Sequence, residues 1–304
     1  MSSIAHQGPQ IARANGIDIC YEIFGDPKAQ PMLLIMGLGA QMVLWDDDFC
    51  EQLAARSFRV IRFDNRDIGQ SSKLSGGTRL SPLELLKLRF LKIPVAAPYK
   101  LTDMARDTTG LMDVLGIRSA HLVGASMGGM IAQTIAYRHP ARVKSLVSIM
   151  SSTGAPQLPQ AKPELIARLA GPAPVGRQAT IDAAVETWRM ISGTGYPFDE
   201  AMVRERTGIM YDRSNHPEGQ ARQLAAILAH GDRSPRLGAV RAPTLVIHGA
   251  DDPLVPLDGG RHTAESISGA ELLIVPGMGH DLPRPLFGKL VEAISAHVQK
   301  ARAA

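Results

Sequence analysis

The sequence contains little cysteine and no long apolar run, and each shortage excludes a class of protein. Cys20 and Cys50 are the only cysteines among 304 residues. Two are too few for a disulfide framework, and neither has the cysteine or histidine spacing of a zinc site. We expect both thiols to be small apolar fillers in a reducing compartment. The most apolar stretches, such as residues 31–39, are too short to span a bilayer, and residues 1–16 lack the apolar core of a signal peptide. We therefore expect a soluble cytoplasmic protein with no membrane partner.

The sequence also lacks a concentration of charge of either sign. Lysine and arginine number 33 against 29 aspartates and glutamates, which leaves a net charge of +4. No basic cluster or aromatic-interleaved basic stripe collects these charges, so we expect no nucleic-acid partner. Hydrophobic residues make up 45% of the chain and charged residues 20%. This ordinary globular composition argues against extensive disorder.

Short β-branched runs alternate with amphipathic helical stretches along most of the chain. This alternation indicates an α/β fold with a mostly parallel sheet covered by helices on both faces. The pattern predicts strands at 17–24, 32–36, 59–64, a run ending at 122–124, 143–150, 244–248 and 272–275, and helices at 127–139, 259–268 and 285–300.

The middle of the chain has a different pattern. No clear strand occurs from residue 151 to about 235, where proline and glycine separate helical segments at 164–169, 179–191, 200–211 and 219–230. We interpret residues 151–235 as an inserted helical cap that packs over one end of the sheet. Residues 1–150 and 236–304 then form the core.

The most informative stretch is residues 122–129 (LVGASMGG), which holds the pattern G-x-S-x-G between an apolar strand and a helix. In this context the pattern forms a sharp strand-to-helix turn that exposes the serine. Ser126 then has a strained backbone and lies at a helix N-terminus, whose unpaired N–H groups favour developing negative charge. Gly124 and Gly128 lack a Cβ, so the strand and helix can approach the turn closely. We predict that Ser126 is a nucleophile.

A serine needs a base to take its proton and a third group to orient that base. His280 lies in the glycine-rich turn 276–280, directly after the last apolar strand. In an open parallel sheet this turn is at the carboxyl edge, where Ser126 also lies and where ligands bind. We predict that His280 is the base, and we interpret three other histidines at strand or helix ends as structural: His139, His248 and His297.

The orienting acid is expected in another turn at the same edge. Residues 248–256 (HGADDPLVP) follow the strand at 244–248 and offer two adjacent carboxylates, Asp251 and Asp252. The strand at 143–150 is followed by hydroxyl residues and no acid. The residues alone leave both aspartates open.

An oxyanion hole is expected from two backbone N–H groups. One belongs to Met127, the residue after the nucleophile. The other comes from the loop after an earlier strand, and residues 36–39 (MGLG) follow the strand at 32–36 as required. We predict Leu38 N–H as that second donor.

With these motifs together, the chain resembles the α/β-hydrolase superfamily from end to end. The features that carry the resemblance are GASMG at 124–128, DNRDIGQS at 64–71, GADD at 249–252 followed by VP at 255–256, and GMGH at 277–280. In the family pattern the acid stands three positions after the glycine and three before the valine, which selects Asp252. The order Ser126, Asp252, His280 is that of the family. The resemblance also implies a structural role for the loop at 64–71 and a serine esterase without metal or organic cofactor.

Two further features resemble the aclacinomycin methylesterase branch of this superfamily. Met36-Gly37 stands where many members have His-Gly, and residues 189–199 (RMISGTGYPFD) lie in the predicted cap. Enzymes of that branch remove a methyl ester from an anthracycline. The resemblance implies a small-molecule ester substrate, with methyl or short-chain esters as candidates.

Other functions on this fold stay open. A carbon–carbon bond hydrolase and a cofactor-free perhydrolase or haloperoxidase use the same triad, and a ligand receptor could use the fold without catalysis. Haloalkane dehalogenases and epoxide hydrolases require an aspartate where Ser126 stands. Apolar cap residues either line a substrate pocket or form the cap's own core: Trp188, Met190, Tyr196, Met202 and Met210.

Overall fold

A computed structural model describes residues 4–76, 95–171 and 173–303 of the protein. Within these ranges eight strands form one sheet in the order β1-β2-β4-β3-β5-β6-β7-β8. The strands are β1 His6–Ala14, β2 Ile17–Phe24, β3 Gln30–Ile35, β4 Phe58–Phe63, β5 Ala120–Ala125, β6 Val143–Ile149, β7 Thr244–Gly249 and β8 Glu271–Val275.

The direction of the strands determines where the site can form. The strands β1 and β2 are antiparallel to each other, and β2 is antiparallel to β4. Every neighbouring pair from β4 to β8 is parallel. Because parallel strands end at one edge, the loops after β3, β5, β7 and β8 converge there. These loops carry all the residues that the sequence predicts for the site.

Helices cover both faces of the sheet. They are α1 Asp47–Ala55, α2 Leu101–Val114, α3 Met127–Arg138, α4 Pro163–Ala170, α5 Arg177–Ile191, α6 Glu200–Arg213, α7 Pro217–His230, α8 Ser234–Leu237, α9 Leu257–Ser266 and α10 Phe287–Ala303. No helix among the described residues is long and apolar enough to cross a membrane.

The buried strands divide their side chains between two apolar cores. In β3, Leu33 and Ile35 join a cluster that includes residues of α2 and α3. Met32 and Leu34 point to the other face and join a cluster that includes residues of α1 and α10. This alternation follows from the two-residue period of a strand. It explains why a central strand is apolar throughout, as the sequence indicates for residues 32–36.

The five helices α4 to α8 occupy the chain between β6 and β7. In the described part of this segment, residues 150–171 and 173–243, no strand occurs. The segment ends with α8 Ser234–Leu237, which crosses the predicted boundary at residue 235. The division into a core and a separate cap domain stays a prediction, and we call α4 to α8 with their connections the helical block.

The structure also contains elements that the sequence pattern did not predict. β1 His6–Ala14 is an edge strand whose residues are mostly exposed, so it has no apolar alternation to recognise. The helix α2 Leu101–Val114 was likewise not predicted, although Leu101, Met104 and Leu111 bury its inner face.

Candidate active site

Ser126 lies on the sharp turn between β5 and α3. Its φ of 54° and ψ of −120° are unusual for a residue other than glycine, and such a backbone costs about 1–3 kcal/mol. The Ser126 N–H donates to the carbonyl oxygen of Ile149 in the neighbouring strand at 2.9 Å. The predicted strained turn is confirmed, and the sheet itself holds it.

Both glycines of the turn are explained by close backbone contacts. A Cβ on Gly124 would overlap the carbonyl oxygen of Gly128, and a Cβ on Gly128 would overlap that of Ile35. In each case the obstacle is backbone, which moves only with the strand or helix to which it belongs. The prediction that these glycines let strand and helix approach the turn is confirmed.

His280 lies in the loop after β8, with its ring between two of the predicted partners. Its Nε2 is 3.0 Å from Ser126 Oγ, and its Nδ1 is 2.8 Å from Asp252 Oδ2. Since an ionised carboxylate only accepts, the partners assign the ring proton to Nδ1 and leave Nε2 to accept from the serine hydroxyl. This is the arrangement in which an imidazole can act as a general base.

Asp252, and not Asp251, contacts the histidine. Asp252 is buried, and its Oδ1 accepts the backbone N–H groups of Leu254 at 2.9 Å and Val255 at 2.8 Å. These two bonds leave Oδ2 to face His280. Asp251 is exposed and accepts from the hydroxyl of Thr194 at 3.1 Å. Of the two aspartates, the geometry therefore brings only Asp252 to the ring of His280.

A second histidine, His248, lies beside the same carboxylate. It is fully buried at the end of β7, with Nε2 2.8 Å from the carbonyl oxygen of Val255 and 3.6 Å from Asp252 Oδ2. Its Nδ1 has no hydrogen-bond partner among the described residues. Burial lowers the pKa of His248, which favours the neutral ring. The sequence interpretation as a structural histidine gave no sign of this position beside the acid.

The loop after β3 lies directly against Ser126. A Cβ built on Gly37 would be 3.1 Å from Ser126 Cβ and 3.6 Å from Ser126 Oγ. Among the described residues, neither Leu38 nor Met127 uses its backbone N–H in a hydrogen bond. Both predicted oxyanion donors thus lie beside the serine, Met127 as the next residue and Leu38 in the contacting loop, with N–H groups that no protein acceptor occupies. Their role as donors stays a prediction.

Contacts from both sides hold this loop. The side-chain amide of Asn65 donates to the carbonyl oxygen of Met36 at 2.9 Å. From the helical block, Gln223 Oε1 accepts the N–H of Gly39 at 2.9 Å, and its amide group donates to the carbonyl oxygen of Arg66 at 2.9 Å. Gln223 is fully buried. Sequence reasoning missed it because a lone glutamine on a helix carries no pattern.

The loop at 64–71 is tied to the helical block by ion pairs. Arg213 lies 2.7 Å from Asp64, and Arg222 binds Asp67 through two nitrogens, each at 2.9 Å. Both carboxylates are fully buried. Removing one partner of such a pair leaves an uncompensated buried charge. These contacts agree with the structural role that the family resemblance implied for this loop.

A large, mostly apolar cavity lies between the helical block and the carboxyl edge of the sheet. Ser126 and His280 line it, together with Leu38, Met130 and Leu254. Among the apolar residues of the predicted cap, Trp188, Met202 and Met210 also line the cavity. Met190 is 42% exposed, and Tyr196 packs against the apolar core. Three of the five residues therefore line the cavity, whereas neither predicted role is seen for Met190 or Tyr196.

His297 and the two cysteines have contacts and burial that agree with structural roles. His297 is buried and contacts the carbonyl oxygen of Pro243 at 3.1 Å. Cys20 and Cys50 are buried and unpaired, as expected for apolar fillers. No group of three histidine, cysteine, aspartate or glutamate side chains within the described ranges could hold a metal ion.

The class of protein follows from this fold and this edge of the sheet. Residues 30–283 match the family of the alpha/beta hydrolase fold, and the chain belongs to that family. The predicted fold class, a mostly parallel sheet flanked by helices, is confirmed.

Individual relatives show which activities occur among family members that are similar to this chain. Rhodomycin D methylesterase from Streptomyces peucetius is 29% identical over 300 residues, which cover 92% of this chain and 94% of the relative. This match agrees with the resemblance to the aclacinomycin methylesterase branch. The 2-hydroxy-6-oxononadienedioate/2-hydroxy-6-oxononatrienedioate hydrolase from Paraburkholderia xenovorans is 35% identical over 178 residues, 58% of this chain and 61% of the relative.

Solved structures show the same fold. A meta-cleavage product hydrolase from Pseudomonas fluorescens superimposes with a TM-score of 0.74 at 21% identity, covering 96% of this chain and 98% of the other. The family and the two sequence relatives named above are hydrolases, and this protein is a hydrolase on the α/β fold.

Proposed function

We propose that the protein is a carboxylic ester hydrolase that uses Ser126, His280 and Asp252 as a catalytic triad. The observation that carries the proposal is the position of the His280 ring, 3.0 Å from Ser126 Oγ and 2.8 Å from Asp252 Oδ2. A base within 2.6–3.2 Å of the hydroxyl proton and oriented by a third group is what activates a serine.

In the first step, Ser126 Oγ attacks the ester carbonyl while His280 Nε2 takes the hydroxyl proton. The buried carboxylate of Asp252 stabilises the imidazolium that forms. The N–H groups of Met127 and Leu38 bind the oxyanion of the tetrahedral intermediate; losing one such donor typically costs about 2.7–4 kcal/mol. The C–O bond to the alcohol then breaks, His280 protonates the leaving alcohol, and the acyl group stays on Ser126.

In the second step, water replaces the alcohol. His280 takes a proton from the water as it attacks the acyl-enzyme carbonyl, and the same donors bind the second oxyanion. The C–O bond to Ser126 breaks, and the proton on His280 returns to Oγ. The product is a carboxylic acid, and the cycle uses no metal or organic cofactor.

We infer that the substrate is a small-molecule ester, with methyl and short-chain esters as candidates. The mostly apolar cavity favours an apolar compound over a charged one. The similarity to a rhodomycin D methylesterase supports a methyl ester. A panel of methyl and p-nitrophenyl esters of graded size would rank these candidates.

The decisive experiment is Ser126→Ala with a chromogenic short-chain ester. We expect turnover to fall by at least roughly 10⁴-fold, since losing the nucleophile leaves only binding and oxyanion stabilisation. The circular dichroism spectrum should stay unchanged because, among the described residues, Oγ hydrogen-bonds to His280 alone. Ser266→Ala on α9 is the matched control. Undiminished turnover by Ser126→Ala would refute the assignment.

A carbon–carbon bond hydrolase is the second candidate. It is favoured by the 35% identity to the Paraburkholderia xenovorans hydrolase over 178 residues. One assay distinguishes the two functions. Purified protein is given either a methyl ester or a dienoate ring-cleavage product, and the turnover of each is measured. Acetate-dependent bromination tests perhydrolase or haloperoxidase activity in the same way.

The non-enzymatic alternative is a ligand receptor on this fold. A serine-directed fluorophosphonate distinguishes it from a hydrolase, because labelling requires an activated Ser126. A receptor should show no labelling and no turnover while still binding an ester.

We also propose that the protein works in the reducing cytoplasm. Burial raises the pKa of the Cys20 thiol to about 11 and that of Cys50 to about 12, so both stay protonated. Two buried, unpaired thiols suit a compartment in which disulfides do not form. Fractionation of the source cells would test this proposal.

A further inference from the structure

The loop that carries His280 follows an edge strand and therefore has a sheet neighbour on one side only. Among the described residues, β8 ends the sheet and pairs with β7 alone. On the β7 side, the N–H of Ala250 donates to the carbonyl oxygen of Val275 and that of Asp251 to the carbonyl oxygen of Met278, both at 3.0 Å. The opposite side of the loop needs partners from elsewhere.

Residues 191–195 of the helical block supply these partners, and we call this segment the strap. The N–H of His280 donates to the carbonyl oxygen of Ile191 at 2.7 Å, and the N–H of Gly195 donates to that of Gly277 at 3.0 Å. The first bond holds the backbone of His280 itself. The strap thus pairs with the histidine loop almost as a further strand would.

The strap and the histidine loop pack backbone against backbone. A Cβ on Gly193 would overlap the carbonyl oxygen of Gly277, and a Cβ on Gly279 would overlap the nitrogen of Gly193. A Cβ on Gly195 would lie 2.5 Å from Gly277 Cα. No side chain fits between the segments, so these glycines are required by close approach.

Side chains join the two segments as well. Thr194 donates to Asp251, the neighbour of the orienting acid, at 3.1 Å. Burial raises the pKa of Asp281, while hydrogen bonds from the Ser192 hydroxyl and from the N–H groups of Gly279 and Gly193 act to lower it. The strap therefore supplies hydrogen-bond donors to Asp251 and to Asp281, the residue after His280.

We propose that the strap is a positioning element that holds His280 within reach of Ser126. The turn around His280 is rich in glycine, which loses more conformational freedom on ordering than any other residue. Such a loop keeps a fixed geometry only when contacts from outside determine it. The helical block then sets the position of the base as well as lining the cavity.

This inference rests on the proposed function and can be tested separately from it. Gly193→Ala is expected to lower kcat for p-nitrophenyl acetate roughly tenfold to hundredfold, since a misplacement of about 1 Å can cost about 10²-fold. KM should change less than about twofold, because Gly193 is not among the described residues that line the cavity. The rate of fluorophosphonate labelling should fall in parallel with kcat.

Gly288→Ala on α10 is the matched control, because its Cβ meets nothing within 4 Å. It should keep the kcat of the native enzyme. Ser192→Ala removes a donor to Asp281 without any backbone clash and should lower kcat less than Gly193→Ala does. If Gly193→Ala does not fold, Ser192→Ala decides the question through kcat and the rate of fluorophosphonate labelling, because Ser192 also lines the cavity and its loss can change KM directly. Native values of both for Ser192→Ala would overturn the proposal.

Three other results would overturn the proposal. A folded Gly193→Ala enzyme with kcat within twofold of the native value would do so, as would a rise in KM at unchanged kcat. A native enzyme without esterase activity or fluorophosphonate labelling would overturn the proposed function and the strap together. If the native enzyme has esterase activity and Gly193→Ala keeps all of it, only the positioning role of the strap is overturned.

Discussion

The turn around Ser126 and the loop around His280 reach the same edge of the sheet, but they are held in different ways. Ser126 lies between central strands, donates to Ile149 of β6, and has Gly128 packed against the end of β3. All of these contacts lie within the sheet and the helix α3, which follows Ser126. His280 follows the edge strand, and its own N–H donates to Ile191 in the helical block.

This difference shows that one part of the candidate site is held by the sheet and its own loops, whereas another part also depends on contacts from the helical block. The sheet and its own loops hold the proposed nucleophile and the proposed acid, since Asp252 accepts from Leu254 and Val255 in its own loop. The base and the loop after β3 also rely on the helical block, through Ile191 and Gln223. Changes in the helical block should therefore affect the positions of His280 and Leu38 before they affect that of Ser126.

The largest effect in this comparison is expected from Asp252→Asn, which tests the part held by the core. An amide cannot hold the His280 proton on Nδ1 as a carboxylate does, so we expect kcat to fall roughly 10³- to 10⁴-fold. Ester turnover measures the effect. Asp258→Asn, a change at an exposed aspartate, is the control. Turnover within tenfold of the native enzyme would mean that Asp252 does not orient the base.

A smaller effect is expected from Gln223→Leu, which tests the dependence on the helical block. The change removes the acceptor for Gly39 N–H and the donor to Arg66 and leaves both backbone groups unpaired. We expect kcat to fall about tenfold with little change in KM, because the loop bearing Leu38 loses one of its two anchors. The unpaired buried carbonyl of Arg66 should also cost about 1–3 kcal/mol in unfolding free energy.

Gln178→Leu, on the exposed surface of α5, serves as the control for Gln223→Leu. Steady-state kinetics and urea unfolding should be run on both variants. A Gln223→Leu enzyme with native kcat would show that the core alone holds the oxyanion loop, and the contrast between the two parts would then be confined to His280.

The smallest effect concerns His230, at the end of α7, whose Nε2 lies 3.2 Å from the hydroxyl of Tyr137 on the nucleophile helix. Burial, and then nearby arginines, lower the pKa of His230 to about 4. In the unfolded chain the pKa of His230 is near 6.5. Between about pH 6.5 and pH 4, His230 is therefore protonated in the unfolded state but neutral in the folded state. Stability is therefore complete above about pH 6.5 and declines towards pH 4, by at most about 1.4 kcal/mol per pH unit from this group.

His230→Gln should remove this contribution. The variant is expected to lose less unfolding free energy than the native protein when the pH is lowered from 7.5 to 5, as measured by urea unfolding at both values. Equal losses in the two proteins would show that His230 titrates alike when folded and unfolded.

Most of the sheet could be predicted because its central strands are apolar throughout. The predicted strand at 17–24 coincides with β2, and the others agree within a few residues. The edge strand β1 escaped prediction because most of its residues are exposed. An exposed strand is defined by its pairing with a neighbour, which leaves little trace in composition.

The candidate site was predictable residue by residue, whereas its support was not. Ser126 and His280 stand in short patterns after apolar strands, and such patterns can be read locally. Asp251 and Asp252 differ only in which carboxylate the turn directs inwards, and two backbone N–H groups decide that. Nothing in the local sequence marks Gln223 or residues 191–195 as partners of the site.

The sequence by itself determined the fold class, the strained nucleophile turn and the order of the triad candidates, because periodicity and glycine spacing constrain the backbone within a few residues. Only the tertiary structure decided which aspartate faces His280, that His248 lies beside it, and that residues 191–195 hold the histidine loop. Those contacts join segments tens of residues apart, and they form only when the helical block docks on the edge of the sheet.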